Sequence, residues 1–91
     1  MEKIALITGA SGGLGQAVVD RLGREGWSLV VAGRSSRRLA EIYSSNHLQI
    51  EADCSTRSGS QHLLDETISR LGMPTALIHC AGNIRLGAMH R

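Results

Sequence analysis

Apolar positions fall into short continuous runs separated by stretches of wider spacing, and the two kinds alternate along the chain. The first run, Ile4-Ala5-Leu6-Ile7, closes on Thr8-Gly9, the pattern of a buried strand feeding a turn. Beyond it Leu14, Ala17, Val18 and Leu22 recur at i, i+3, i+4 and i+8, which predicts one inward face of a helix that Gly23 or Gly26 ends. A second run spans residues 27–33. Residues 34–45 predict a short helix with Leu39, Ile42 and Tyr43 inward and Arg37, Arg38 and Glu41 solvated. Over 47–53, Leu48, Ile50 and Ala52 alternate with polar neighbours, as expected for an edge strand with one wet face. Ser55 or Thr56 caps a third helix, in which Leu64, Ile68 and Leu71 fall at i, i+4 and i+7 before Gly72 and Pro74 stop it. Residues 75–82, TALIHCAG, predict a fourth strand, and the nine residues after them are too few to assign.

Strands alternating with helices imply βαβ units and a parallel sheet covered on both faces. The expected architecture is therefore α/β, a doubly wound parallel sheet of four strands in the order 3-2-1-4, forming a single partial domain over residues 1–91. In that order the chain reverses direction between strands 1 and 4, and ligands bind outside the carboxyl ends of strands at such a switch point. Four of the eleven glycines stand there, within residues 9–15. Gly9 suits a sharp exit from the first strand, Gly12 and Gly13 a close approach of backbone to a pyrophosphate, and Gly15 a helix seated against the sheet. A phosphate at that helix start meets unpaired N–H groups and the positive end of the dipole, with the Ser11 hydroxyl beside it. Ordinary turns also use glycine, but this cluster lies between a strand and a helix. An ATP-binding loop of the Walker type is excluded, because Gln16 stands where its chemistry needs Lys. The strict GxGxxG spacing also fails, with Val18 at the third small position.

Composition narrows the partner. Hydrophobic residues make up 42% and charged residues 20%, with one Trp, one Tyr and no Phe, so the core is aliphatic. Few aromatics argue against stacking on single-stranded nucleic acid. A formal charge of +2 is too small for a duplex-binding surface, although nine of the ten basic residues are Arg, the side chain suited to phosphate. A nucleotide fits better than a nucleic acid. No apolar run approaches the ~20 residues of a membrane span. Cys54 and Cys80 have no CxxC spacing and no secretory leader precedes them, so a cytoplasmic, reduced protein is expected. The cysteines and histidines lack metal-ligand spacing, and no metal is expected.

Thr8-Gly9-Ala10-Ser11-Gly12-Gly13-Leu14-Gly15 resembles the TGxxxGxG signature of the short-chain dehydrogenase/reductase family. Arg34 after the second strand, Asp53 after the third and His79-Cys80-Ala81-Gly82, where the family usually shows NNAG, follow in that family's order. The resemblance implies a Rossmann-like fold and an oxidoreductase binding a nicotinamide dinucleotide. It assigns Gly9, Ser11, Gly12 and Leu14 to the pyrophosphate and adenosine ribose, Asp53 and the Cys54 backbone to the adenine, and Ala81 and Gly82 to a place beside the ribose. An acidic residue ending the second strand would accept from the 2'-hydroxyl of NAD; here Arg34 and Ser35 stand instead, which argues for NADP in preference to NAD.

The family's Tyr and Lys, four residues apart, lie beyond the fourth strand. The only tyrosine here, Tyr43, has His47 four residues later. No catalytic residue is therefore assigned, and the chain reads as the cofactor-binding portion of such an enzyme, inactive by itself. The uncharged fourth strand stands at a sheet edge with no Pro or bulge signal, so a homo-oligomer formed through it, or a fold-back of residues 83–91 over it, is expected. Two alternatives are an assembly module that has lost its ligand and one half of a two-chain reductase.

Overall fold

A computed structural model describes residues 3–80 of the chain. Four strands and three helices alternate: β1 (Ile4–Thr8), α1 (Gly13–Arg24), β2 (Ser28–Gly33), α2 (Ser36–Tyr43), β3 (Leu48–Glu51), α3 (Arg57–Arg70) and β4 (Ala76–His79). The strands form one parallel sheet in the order β3-β2-β1-β4. This is the Rossmann-like α/β topology that the alternating pattern predicts.

β1 has both neighbours and all five of its residues are buried, while β2 is buried at every position after Ser28. Unbroken aliphatic runs suit such strands because helices cover both sheet faces. Successive side chains alternate between those faces. Ala5, Ile7, Leu29 and Val31 join Val19, Leu39 and Tyr43 beneath α1 and α2, whereas Leu6, Val30, Ala32 and Ile50 meet Leu63 of α3. β3, at one edge, exposes Glu51 and buries Ile50. β4, at the other, alternates half-buried Ala76 and Ile78 with exposed Leu77 and His79.

Two helix faces differ from expectation. In α1 the buried positions are Gly15 and Val19, with Val18 and Leu22 packed beside them; Leu14 is 45% exposed and Ala17 faces solvent. Close approach sets this rotation. A Cβ on Gly15 would lie 2.6 Å from the Gly9 carbonyl oxygen, so this glycine is the point at which helix and turn touch. In α3 the buried pair is Leu63 and Thr67 rather than Ile68 and Leu71, which are each 40% exposed; Leu64 is half-buried. Thr67 tolerates burial because its hydroxyl donates to the Leu63 carbonyl (2.8 Å). A stripe drawn from apolar letters alone passes over a hydroxyl satisfied within its own helix.

The residue conformations at the helix starts follow local chemistry. Ser35 caps α2 by accepting from the Arg38 N–H, and Thr56, rather than Ser55, caps α3 by accepting from the Gly59 N–H. The ion pairs among the described residues join side chains four positions apart on exposed helix surfaces, where each contributes little. No helix is long and apolar enough to cross a membrane among the described residues.

Candidate functional site

The carboxyl ends of β1, β2, β3 and β4 open together into a cavity of about 660 Å³, lined by Thr8, Gly9, Ser11 and Gly12 on one side and Arg34, Ser35, Arg38 and Asp53 on another. Its floor begins at Gly9. This residue holds φ +65°, and a Cβ there would lie 1.5 Å from the Cys80 carbonyl oxygen. Glycine is thus demanded both by the turn and by the end of β4 pressing against it. The next residue returns to the sheet, with the Ala10 N–H donating to the Ala32 carbonyl (3.0 Å). The turn then reaches α1, whose N-cap is Gly12.

That N-cap has no side chain to offer, and no side-chain hydrogen bond closes the start of α1, unlike α2 and α3. A Cβ on Gly13 would meet nothing within 4 Å, so the space above the first turn is open. The first-turn N–H groups of a helix have no intrahelical acceptor. Backbone donors, the dipole and an unobstructed approach therefore coincide on one wall of the cavity, an arrangement that accepts a diphosphate.

The carbonyls of the same turn are held from α2 and α1. The Tyr43 hydroxyl donates to the Ala10 carbonyl (2.5 Å), while Gln16 Nε2 (3.2 Å) and Arg38 Nη2 (3.4 Å) donate to that of Ser11. Burial pushes the Tyr43 phenol above its ordinary pKa, with the Cys80 thiol adding to the effect, which keeps its proton in place. On the opposite wall, Asp53 Oδ1 accepts from the Ser55 N–H (3.0 Å) and hydroxyl (2.6 Å). These bonds hold the Asp53 carboxyl below the usual carboxylate range, against the weaker upward pull of desolvation; the Arg34 charge assists. At the far end, the Thr8 hydroxyl and His79 Nδ1 share a 2.6 Å hydrogen bond between paired positions of β1 and β4.

A model of the short chain dehydrogenase family matches residues 3–91. The chain belongs to the short-chain dehydrogenase family. It is 33% identical over 84 residues to an uncharacterized oxidoreductase of Staphylococcus epidermidis, a match covering 89% of this chain and 36% of that protein. Among solved structures, the L-sorbose reductase of Gluconobacter frateurii, complexed with NADPH and L-sorbose, superposes with a TM-score of 0.82 at 29% identity over 90% of this chain and 34% of that one. The 3-ketoacyl-(acyl-carrier-protein) reductase of Brucella melitensis, complexed with NADH, gives 0.76 at 26% identity over 82% and 32%. The chain thus spans about a third of the length of these short-chain dehydrogenases.

Of the positions that the dehydrogenase signature singles out, Gly9, Ser11, Gly12, Arg34, Ser35, Asp53 and Cys54 all line the one cavity. Leu14 lies outside that lining, in the first turn of α1 with its side chain exposed. Ala81 and Gly82 lie outside the described residues. Ser35 also serves as the α2 cap. Seven further lining residues were not assigned to the site from the sequence: Thr8, Gly33, Arg38, Ala52, Ser55, His79 and Cys80. Arg38 carries a usable signal, since it falls in the first turn of the helix that starts just after Arg34. Thr8 and His79 each stand inside one of the two family motifs, but their hydrogen bond spans 71 residues and neither motif signals it.

Proposed function

We propose that this chain is the NADP(H)-binding portion of a short-chain dehydrogenase-type oxidoreductase, and that these 91 residues do not turn over a substrate by themselves. The observation that carries the cofactor reading is the placement of Arg34, Ser35 and Arg38 on the cavity wall where β2 gives way to α2. Two guanidinium groups and a hydroxyl suit a 2'-phosphate; a bare 2'-hydroxyl has no carboxylate acceptor at that position. Asp53, the carboxylate on the same side as Arg34, is already engaged by Ser55. Its side with the Cys54 backbone suits the adenine, and Gly9, Ser11, Gly12 and the Leu14 N–H suit the diphosphate and ribose. Since NADPH and NADH each occur among the similar structures, the chemistry of this wall is what favours NADP. For catalysis, the one tyrosine is buried and committed to Ala10, so these residues offer no phenol to protonate a substrate. Two free thiols, one buried and one half-buried, accord with a cytoplasmic setting.

Calorimetric titration with NADPH, NADH and 2',5'-ADP tests the reading. Arg34→Ala should weaken NADPH and 2',5'-ADP by about 10- to 100-fold, the worth of charge-assisted hydrogen bonds, and leave NADH within about two-fold. Equal losses for all three would overturn the preference for NADP. No binding of any nucleotide by the unsubstituted chain would favour a ligand-free assembly module instead.

A second reading rests on β4. Among the described residues it has a strand partner on one side only, and Leu77 is 68% exposed at its centre. A homodimer pairing β4 with β4 about a two-fold axis would cover this edge. Sedimentation across a concentration series reads it, and a monomer throughout would rule it out.

A further inference from the structure

Tyr43 is the one large polar side chain in the core cluster beneath α1 and α2, and it lies there with Ala10, Leu39 and Cys80. Its hydroxyl crosses from α2 to the turn between β1 and α1, a separation of 33 residues, to reach the Ala10 carbonyl. In a trans peptide the carbonyl of one residue and the N–H of the next point in opposite directions. No cis peptide occurs among the described residues. A carbonyl drawn inward to the core therefore turns the Ser11 N–H outward, and Ser11 lines the cavity. Among the described residues, no protein group accepts from that N–H.

We infer that Tyr43 is a positioning residue for the diphosphate of the dinucleotide: by holding the Ala10 carbonyl from below, it aims the Ser11 N–H into the cavity. It touches no ligand itself. The inference rests on the proposed dinucleotide site and adds to it a contact from α2, the same helix whose start carries Ser35 and Arg38. One short helix thereby shapes both the 2'-phosphate wall and the diphosphate turn. Burial holds the phenol protonated, so the donor persists across the ordinary pH range.

Tyr43→Phe keeps the ring in the core and removes only the donor. NADPH affinity should fall about 3- to 10-fold, the range of one hydrogen bond, while 2'-AMP, which has no diphosphate, binds within about two-fold of the parent chain. The ligand-free chain supplies an independent readout. Amide hydrogen exchange at Ala10, whose N–H is bonded to Ala32, should quicken in Tyr43→Phe relative to Leu6 and Val30 in the sheet. Should the parent chain bind no dinucleotide, the cofactor reading falls, and the exchange contrast still decides whether Tyr43 holds the turn. Added sucrose keeps a weakened variant folded for both measurements. Equal losses for NADPH and 2'-AMP, or uniform exchange across turn and sheet, would overturn the positioning role.

Discussion

Gly9, in the turn after β1, and Gly13, the first residue of α1, stand four residues apart and have different physical reasons to be glycine. At Gly9 the backbone is left-handed and the Cys80 carbonyl occupies the place of a Cβ; at Gly13 the place is open. Gly9→Ala should therefore cost about 3 kcal/mol or more, by strain at φ and displacement of the end of β4. Gly13→Ala should leave stability unchanged or raise it by up to about 1 kcal/mol, as alanine prefers a helix. Urea unfolding of the two variants reads the contrast. Gly13 begins α1 directly after Gly12, which lines the cavity, so this same alanine should weaken dinucleotide binding while the fold stays intact. Such a separation identifies the two glycines by what each makes room for, which a count of glycines in the sequence does not do.

Among the elements, α2 is the most consequential for its length. Its eight residues supply Arg38 to the cavity and Tyr43 to the turn, and its cap supplies Ser35. Leu39 holds it down, fully buried against the sheet and against Gly33. Leu39→Ala should cost about 2 to 5 kcal/mol, since a small chain has few neighbours to collapse into the space. The loss should appear first as local opening of α2, seen as faster amide exchange over 36–43 than in β1 and β2. Uniform exchange across the chain would instead mean that α2 and the sheet unfold as one unit. The helix spacing marks Leu39, Ile42 and Tyr43 as inward, and they are. Their spacing does not tell that Tyr43 continues through the core to another element's carbonyl.

For the molecule as a whole, the open question is the β4 edge. Among the described residues, Leu77, Ile68 and Leu71 leave apolar surface exposed, and no strand pairs with the outer side of β4. An unguarded parallel edge of this kind favours association. If β4 pairs with its copy, Leu77→Lys should shift the sedimentation profile to monomer at concentrations where the parent chain is dimeric, because a buried lysine at the two-fold contact faces its own image. Nucleotide affinity should stay unchanged, as Leu77 does not line the cavity. A parent chain that is monomeric at every concentration would remove this role for the edge.

The order of strands, the α/β class and the place of Gly9, Ser11 and Gly12 at one end of the sheet were legible from local patterns, and the family resemblance added Arg34 and Asp53. Runs of aliphatic residues between glycine turns leave a parallel sheet as the compact solution, and the strand ends then converge by topology. Which face of α1 and α3 turns inward was not legible, because Gly15 and Thr67 face the sheet through a close backbone approach and an internal hydrogen bond rather than through apolarity. Nor were the hydrogen bonds of Arg38 to Ser11, of His79 with Thr8 and of Tyr43 to Ala10. Those depend on contacts between residues far apart in the chain, and periodicity reports only what neighbours along one helix or strand share.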